Sequence, residues 1–293
     1  VPGQKLYCPI NYDYQFHGPT QVRFDLGSSY NLPAVKVLAL NGLEDFVATA
    51  SAMGISTFKD PANYGLSLTL GGGEVKMVDM ATAFSSFANL GIRQDIYALE
   101  KVEDRHGKVL YQREEQEGER VLPMEVAYLV SHILLDNNAR SAAFGAGSYL
   151  VVKNHPEVSV KTGTTNDKRD NWTIGFTPSR LVAVWVGNND NTPMSYVASG
   201  ITGASPIWNK IMSFVLKDTE QEWPTKPEGV VGAQVCALSG KAPNPEAPCE
   251  TRFEYFIKGT VPSEVENLKT FIGIDKTTGQ VATDRTPPED KEM

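Results

Sequence analysis

The chain has 293 residues, 41% of them hydrophobic and 21% charged, which suffices for one large domain and a small one and excludes wholesale disorder. A formal net charge of -8 argues against a nucleic-acid partner. His17, His106, His132 and His155 are scattered and lack ligand spacing with other His, Cys or carboxylates, so neither a metal site nor a cofactor is expected.

Taken in chain order, residues 1–30 are rich in Tyr, Gly and Pro and read as irregular. A helix is predicted to start near Leu32, with Pro33 suited to its first turn. A second covers 43–53, where Leu43, Phe46, Val47 and Ala50 recur at helical spacing. Gly71-Gly72-Gly73 lacks the Gly-Lys-Ser/Thr of a phosphate loop and reads as a turn into a helix over about 76–89. That helix places Val78, Ala81, Phe84, Ser85 and Ala88 on one face and has Gly91 as its C′ residue. Residues 96–112 form a predicted hairpin, turning at His106-Gly107, and the Glu-rich run 113–120 a solvated loop. A long helix over 123–136 should turn Val126, Leu129, Val130, Ile133 and Leu134 inward.

Val158-Ser159-Val160 alternates as a strand and runs into Lys161-Thr162-Gly163-Thr164-Thr165. Residues 173–176 and 181–186 make a second hairpin beside it, and the sequon-like Asn171-Trp172-Thr173 is read as strand. The expected fold class is α+β, an antiparallel sheet with helices packed on it. Domain boundaries are set at 1–228 and 229–293, the latter a small β-rich C-terminal extension with a loose end at 286–293. There Cys236 and Cys249 are either a short-loop disulfide, suited to an extracytoplasmic compartment, or two unpaired thiols, and Cys8 is left over.

The chemistry resides in two motifs. A lysine, hydroxyls and a glycine at a strand end can receive a carboxylate and let another backbone lie close, since glycine carries no Cβ. Ser29-Tyr30-Asn31 supplies a serine and an amide two residues apart that can point to one side of an extended or loop segment. These correspond to the S-D-N type triplet and the K-T-G element of penicillin-binding proteins, with Tyr30 where the pattern has aspartate.

In order along the chain, Asn11-Tyr12-Asp13, residues 16–19, 31–36, 64–75, 161–167, 170–173, 184–190 and 199–204 resemble a bifunctional (class A) penicillin-binding protein. Residues 235–240 and 256–262 make the tail similar to the 1C-like branch. The resemblance implies a penicillin-binding/β-lactamase-like transpeptidase fold, here N-terminally incomplete, and a peptidoglycan D,D-transpeptidase working through an acyl-serine. It implies catalytic roles for Ser29 and Lys161 and substrate binding by Asn31, Thr162, Gly163, Thr164 and Thr165. Peptidoglycan stem peptides ending in D-Ala-D-Ala, and β-lactams, would be the partners, at the extracytoplasmic face of a bacterial cell membrane. A non-catalytic peptide-binding chain, or a serine β-lactamase or D,D-carboxypeptidase of the same superfamily, are the alternatives.

The family's nucleophilic serine precedes the triplet, with a lysine three residues on, and no Ser-x-x-Lys precedes Ser29. Ser56-Thr57-Phe58-Lys59 matches in letters but lies after the triplet and runs into Asp60-Pro61, which favours a turn, so it is read as a decoy. The chain opens on Val1 and shows no leader or membrane span. It is therefore expected to be a fragment lacking the nucleophile, the glycosyltransferase domain and the membrane anchor.

Overall fold

A computed structural model describes residues 8–114, 116–165, 168–194, 202–267 and 272–292. Of the stretches that carry the resemblance, residues 166, 167 and 199–201 lie outside these. The chain divides into two compact units, one of residues 1–17 and 22–228, the other of 18–21 and 229–293.

In the larger unit, α1 (Val22–Gly27) is a short helix inside the stretch expected to be irregular. It is followed by α2 (Asn31–Asn41), α3 (Leu43–Ala52) and, after two 3-10 turns, α4 (Met77–Ala88). Helix α4 closes one residue earlier than expected, with Leu90 at a positive φ of 50° and the Gly91 N–H donating to Ser86 O at 2.7 Å. Gly91 is needed because a Cβ there would come within 2.1 Å of the Leu122 carbonyl.

Strands β1 (Ile92–Arg93), β2 (Lys101–Glu103), β3 (Val109–Gln112) and β4 (Glu119–Arg120) follow. The expected hairpin is β2 with β3, whereas the end of the Glu-rich run is not a loop, because β4 pairs with β1. Next come α5 (Met124–Leu135) and α6 (Asn137–Phe144), the latter not foreseen from the sequence, then β5 (Ser159–Thr164), β6 (Asp170–Phe176), β7 (Leu181–Gly187) and α7 (Ala204–Val215).

Strands β5, β6 and β7 form one antiparallel sheet in that order, placing β5 at an edge. Alternation along β5 decides what each face carries. Val160 joins the core of Val158, Val182, Val184, Trp208, Met212 and Leu216 beneath α7. The indole of Trp208 lies flat enough on the sheet that a Cβ on Gly175 would meet it at 2.3 Å, and its Nε1 donates to Val182 O at 3.1 Å. Ser159, and therefore Lys161 and Gly163, belong to the other face, where Ser159 Oγ donates to Ser131 O of α5 at 2.9 Å.

On that face the buried stripes are shifted from those expected. Helix α4 buries Thr82, Ala83 and Ser86 and exposes Val78, and α5 buries Ala127, Tyr128, Ser131 and Leu134. A second core joins Leu38, Val47, Met53, Ile55, Phe58, Leu68 and Ala83.

The smaller unit is built on β8 (Val230–Cys236) paired with β9 (Thr251–Ile257), and on β10 (Ile274–Asp275) paired with β11 (Lys291–Glu292). The chain end expected to be loose thus carries a paired strand. Gln21 groups with this unit through Nε2 donating to Ala237 O at 2.6 Å. Cys236 and Cys249 are bonded, 13 positions apart with Cα atoms 5.6 Å from each other, while Cys8 is exposed and free. Closing so short a loop restricts the unfolded chain by about 3 kcal/mol. The Cys236→Ser, Cys249→Ser double variant is expected to lose about that much stability in the smaller unit, read as earlier loss of amide protection in β8 and β9 by hydrogen exchange. Unchanged protection there would refute it.

Candidate active site

Of the extended or loop segment expected from sequence the structure has the loop: Ser29 and Tyr30 form the turn that closes α1, and Asn31 opens α2. Tyr30 N donates to Asp25 O at 2.9 Å and Ser29 N to Leu26 O at 3.3 Å, with Ser29 at φ 59°, which is the paired closure of a helix whose C′ residue is left-handed. Glycine is the usual residue there, and a serine costs about 1 kcal/mol more. Strain held by a hydroxyl residue is motivation to look for what the hydroxyl does.

It accepts a hydrogen bond from Lys161 Nζ at 2.7 Å, across 132 positions of chain. The same ammonium donates to Thr162 O at 2.7 Å. Ser29→Gly should, by relieving the left-handed strain, stabilise the larger unit by up to about 1 kcal/mol while removing one of the two acceptors of Lys161 Nζ. Urea unfolding that shows a loss of stability instead would mean that the hydrogen bond outweighs the strain.

Asn31 is the first residue of α2, and its backbone N–H and that of Leu32 donate to Asn11 Oδ1 at 3.0 and 3.1 Å. The buried Asn11 thus caps the helix, not Ser29 or Asn31, a role that sequence reading missed. Asn31 Nδ2 donates to Ile10 O at 2.8 Å, and the Tyr30 ring stacks on His17 with centroids 4.1 Å apart. The unusual middle residue of the triplet is thereby used in local packing.

At the strand, Lys161 is half-buried with its ammonium enclosed by protein. Burial pushes it down from 10.5 to about 8, with repulsion from the Arg140 guanidinium adding to the effect. Gly163 shares its face, and a Cβ there would meet only Trp172 Cβ, at 3.7 Å. The protein's own packing therefore does not require a glycine, and the absent side chain leaves the strand surface open.

Thr162 and Thr164 alternate to the α7 face. Thr162 is buried opposite Thr173, so its hydroxyl is turned away from the face of Lys161. Thr164 is half-buried, and its Oγ1 accepts from Asn171 Nδ2 at 3.0 Å, which leaves its own proton to donate. Asn171 Oδ1 in turn accepts from Ala204 N at 2.7 Å. Fully buried, Asn171 cannot carry a glycan.

Thr165 closes the strand end. Its Oγ1 donates to Asp170 Oδ2 at 3.1 Å, and Trp185 Nε1 donates to Asp170 Oδ1 at 2.9 Å. The glycine turn at 71–73 reaches the same place, since a Cβ on Gly71 would stand 3.1 Å from Thr165 Cγ2.

Ser56 lies apart from this constellation in chemistry. Residues 56–59 are not helical, and Ser56 Oγ donates to Asp79 Oδ2 at 2.6 Å, on the first turn of α4. Its hydroxyl also receives Lys76 Nζ at 3.4 Å rather than Lys59. Among the described residues no group of His, Cys, Asp and Glu could hold a metal ion, and no helix is long and apolar enough to cross a membrane.

Residues 11–213 match the family described as penicillin binding protein transpeptidase domain, and residues 226–270 the penicillin-binding protein 1A C-terminal domain. The tail is thus similar to the 1A kind rather than to the 1C-like branch read from sequence. Penicillin-binding protein 1A of Clostridium botulinum is 32% identical over 96% of this chain and 34% of its own length. That of Pseudomonas aeruginosa is 28% identical over 90% of this chain and 37% of its own length. The chain therefore spans about a third of the length of these curated relatives. The crystal structure of penicillin-binding protein 1A from Haemophilus influenzae superposes with a TM-score of 0.77 at 25% identity, covering 91% of this chain and 44% of that one.

Proposed function

The chain belongs to the penicillin-binding-protein transpeptidase family, and on that premise we propose that its Ser29–Lys161 face is the substrate-receiving side of a peptidoglycan D,D-transpeptidase. The observation that carries the proposal is the 2.7 Å contact between Lys161 Nζ and Ser29 Oγ, which joins two motifs far apart in sequence.

In this reading the peptide backbone of a D-Ala-D-Ala stem adds to the outer edge of β5 at Gly163 and Thr164 as a further strand, beyond the carbonyls of Val160 and Thr162 that Arg140 and Lys161 occupy. Asn31 orients the substrate amide, and Thr164, which unlike Thr162 is only half-buried and stands at the strand end, donates its hydroxyl proton around the edge of β5 to the terminal carboxylate. Thr162 contributes through its carbonyl, which holds Lys161, and Gly163 leaves room for the incoming backbone. Thr165 fixes the strand end. The Thr164 N–H supplies one oxyanion donor, a kind of contact worth about 3 kcal/mol in the transition state.

The attacking serine, which the family's order puts upstream of the triplet, is not assigned to a residue of this chain. Its hydroxyl oxygen forms an ester bond to the penultimate D-alanine carbonyl as the C–N bond to the last D-alanine breaks. The proton released passes through Ser29 Oγ to the departing nitrogen, with Lys161 holding Ser29 in a cationic field. A neighbouring strand's amine then displaces the serine and restores an amide. A β-lactam would occupy the same place. The bonded Cys236 and Cys249 support an extracytoplasmic setting, where disulfides persist.

Gly163→Ala tests the strand-addition step. The methyl group fits the protein, so melting should be unchanged, while labelling of the full-length protein by a fluorescent penicillin should slow by about tenfold as the methyl blocks the incoming backbone. Equal labelling of both proteins would remove strand addition at Gly163. A full-length protein that neither labels nor forms cross-linked muropeptides would remove the transpeptidase reading.

A further inference from the structure

Helix α6 joins the two halves of the site. On one side it lies so close to α1 that a Cβ on Gly27 would stand 3.0 Å from the Ala139 backbone, and Ser28 Oγ donates to Ala139 O at 2.9 Å. Its N-cap Asp136, whose Oδ1 accepts from Asn138 N and Ala139 N, also pairs through Oδ2 with Arg23 of α1 at 3.2 Å. On the other side Arg140, only 4% exposed, reaches β5. Its Nη1 donates to Leu134 O at 2.8 Å and to Val160 O at 3.3 Å, and its Nη2 to Leu135 O at 3.0 Å. Val160 is the residue before Lys161, and Ser28 the residue before Ser29.

We propose that Arg140 is a positioning residue of this site, tying α6 to the backbone beside Lys161 so that the α1–α6 contact sets the reach from Lys161 to Ser29, and placing a fixed positive charge behind the Lys161 ammonium. Arginine suits the task because one planar fork serves several carbonyls at fixed angles, which a lysine cannot reproduce. Among the described residues, the charged groups on the elements that frame Lys161 include the Arg23–Asp136 pair between α1 and α6, His132 of α5, whose Nδ1 lies 3.2 Å from Arg23 Nη2, and Asp170 at the far end of the β5–β6 ladder. Arg140 is thus the cation whose repulsion acts on Lys161 itself, and that repulsion favours loss of the lysine proton.

The proposal rests on the functional reading above, but two measurements separate them. The first follows the Lys161 side-chain resonance by NMR titration without any ligand. The second follows acylation of the full-length protein by a fluorescent penicillin. In R140Q the Lys161 midpoint should rise by about one pH unit. Acylation at neutral pH should slow by about tenfold because the reach from Lys161 to Ser29 is disturbed, and the alkaline limb of its pH profile, where the cationic Lys161 is lost, should move to higher pH. In R140K, which keeps the charge and loses the fork, the midpoint should stay at the wild-type value while acylation slows.

A folded R140Q whose Lys161 midpoint does not move overturns the proposal even if acylation falls. If R140Q does not fold, R140K decides: slowed acylation with an unmoved midpoint supports the positioning role, and wild-type acylation overturns it. A shifted midpoint in R140Q, combined with a wild-type protein that takes no β-lactam, supports the Arg140–Lys161 coupling and discards only the transpeptidase reading.

Discussion

Lys161→Met is expected to raise the stability of the larger unit by roughly 2 kcal/mol at neutral pH and to lower β-lactam acylation of the full-length protein by about 10² to 10³-fold. Burial holds the ammonium down at about 8, from 10.5 in water, and each pH unit between those values corresponds to about 1.4 kcal/mol. Keeping the charge inside the fold thus costs on the order of 3 kcal/mol with its two 2.7 Å hydrogen bonds already in place. Methionine keeps the long apolar stem and has no charge to desolvate. Between pH 8 and 10.5 the unfolded chain binds more protons than the folded one, so wild-type stability rises with pH in that window. The penalty is fully present below about 8 and is relieved by 10.5, so the advantage of the methionine variant must shrink across the same range. Urea unfolding at neutral pH and near the top of that window checks this. A variant less stable than wild type at neutral pH would show that the Lys161 hydrogen bonds outweigh its burial.

That conflict between stability and charge explains why the motif residues were legible in the sequence. A lysine next to a buried alternating strand is chemically out of place, and the serine and asparagine two residues apart were found by their motif spacing, whereas the helix closure that strains Ser29 was not visible in the sequence. Their neighbours were not legible because their roles depend on contacts remote in sequence. Asn11 looks like a loop residue until it caps α2, and Asn171 looks like a sequon until Ala204 arrives from 33 positions away. Helix α6 has no apolar periodicity, only Asn137-Asn138-Ala139-Arg140-Ser141, so the pattern that found α3 could not find it. Asp136 as its N-cap was the available signal. The stripes on α4 and α5 were misplaced for a related reason. Helix α4 packs against α5, β1, β6 and β7 at once, so its buried side follows from how several partners divide it rather than from one apolar face.

Asn171→Ala is expected to be among the costliest single changes near the site, losing about 3 kcal/mol. The side chain is fully buried and works in both directions, accepting from Ala204 N at 2.7 Å and donating to Thr164 Oγ1 at 3.0 Å. Truncation leaves the N–H of a residue with 0% exposure, at the start of α7, without its acceptor, and an orphaned buried donor costs about 1 to 3 kcal/mol by itself. The vacated volume adds to that, and Gly203 shows how tightly it is filled, since a Cβ there would stand 2.6 Å from Asn171 Oδ1. In a unit of this size the melting temperature should fall by roughly 10 °C. Asn171→Asp separates the two functions of the side chain. It keeps the acceptor for Ala204 N and exchanges the donor to Thr164 for an acceptor, which competes for the one hydroxyl proton proposed for the substrate carboxylate. Because it must bury a carboxylate, the aspartate variant should melt no higher than the alanine variant, and below its melting temperature it should label with penicillin as poorly. If it labels at the wild-type rate, the Thr164 hydroxyl has no part in holding the carboxylate, and the strand backbone with Lys161 must hold it alone.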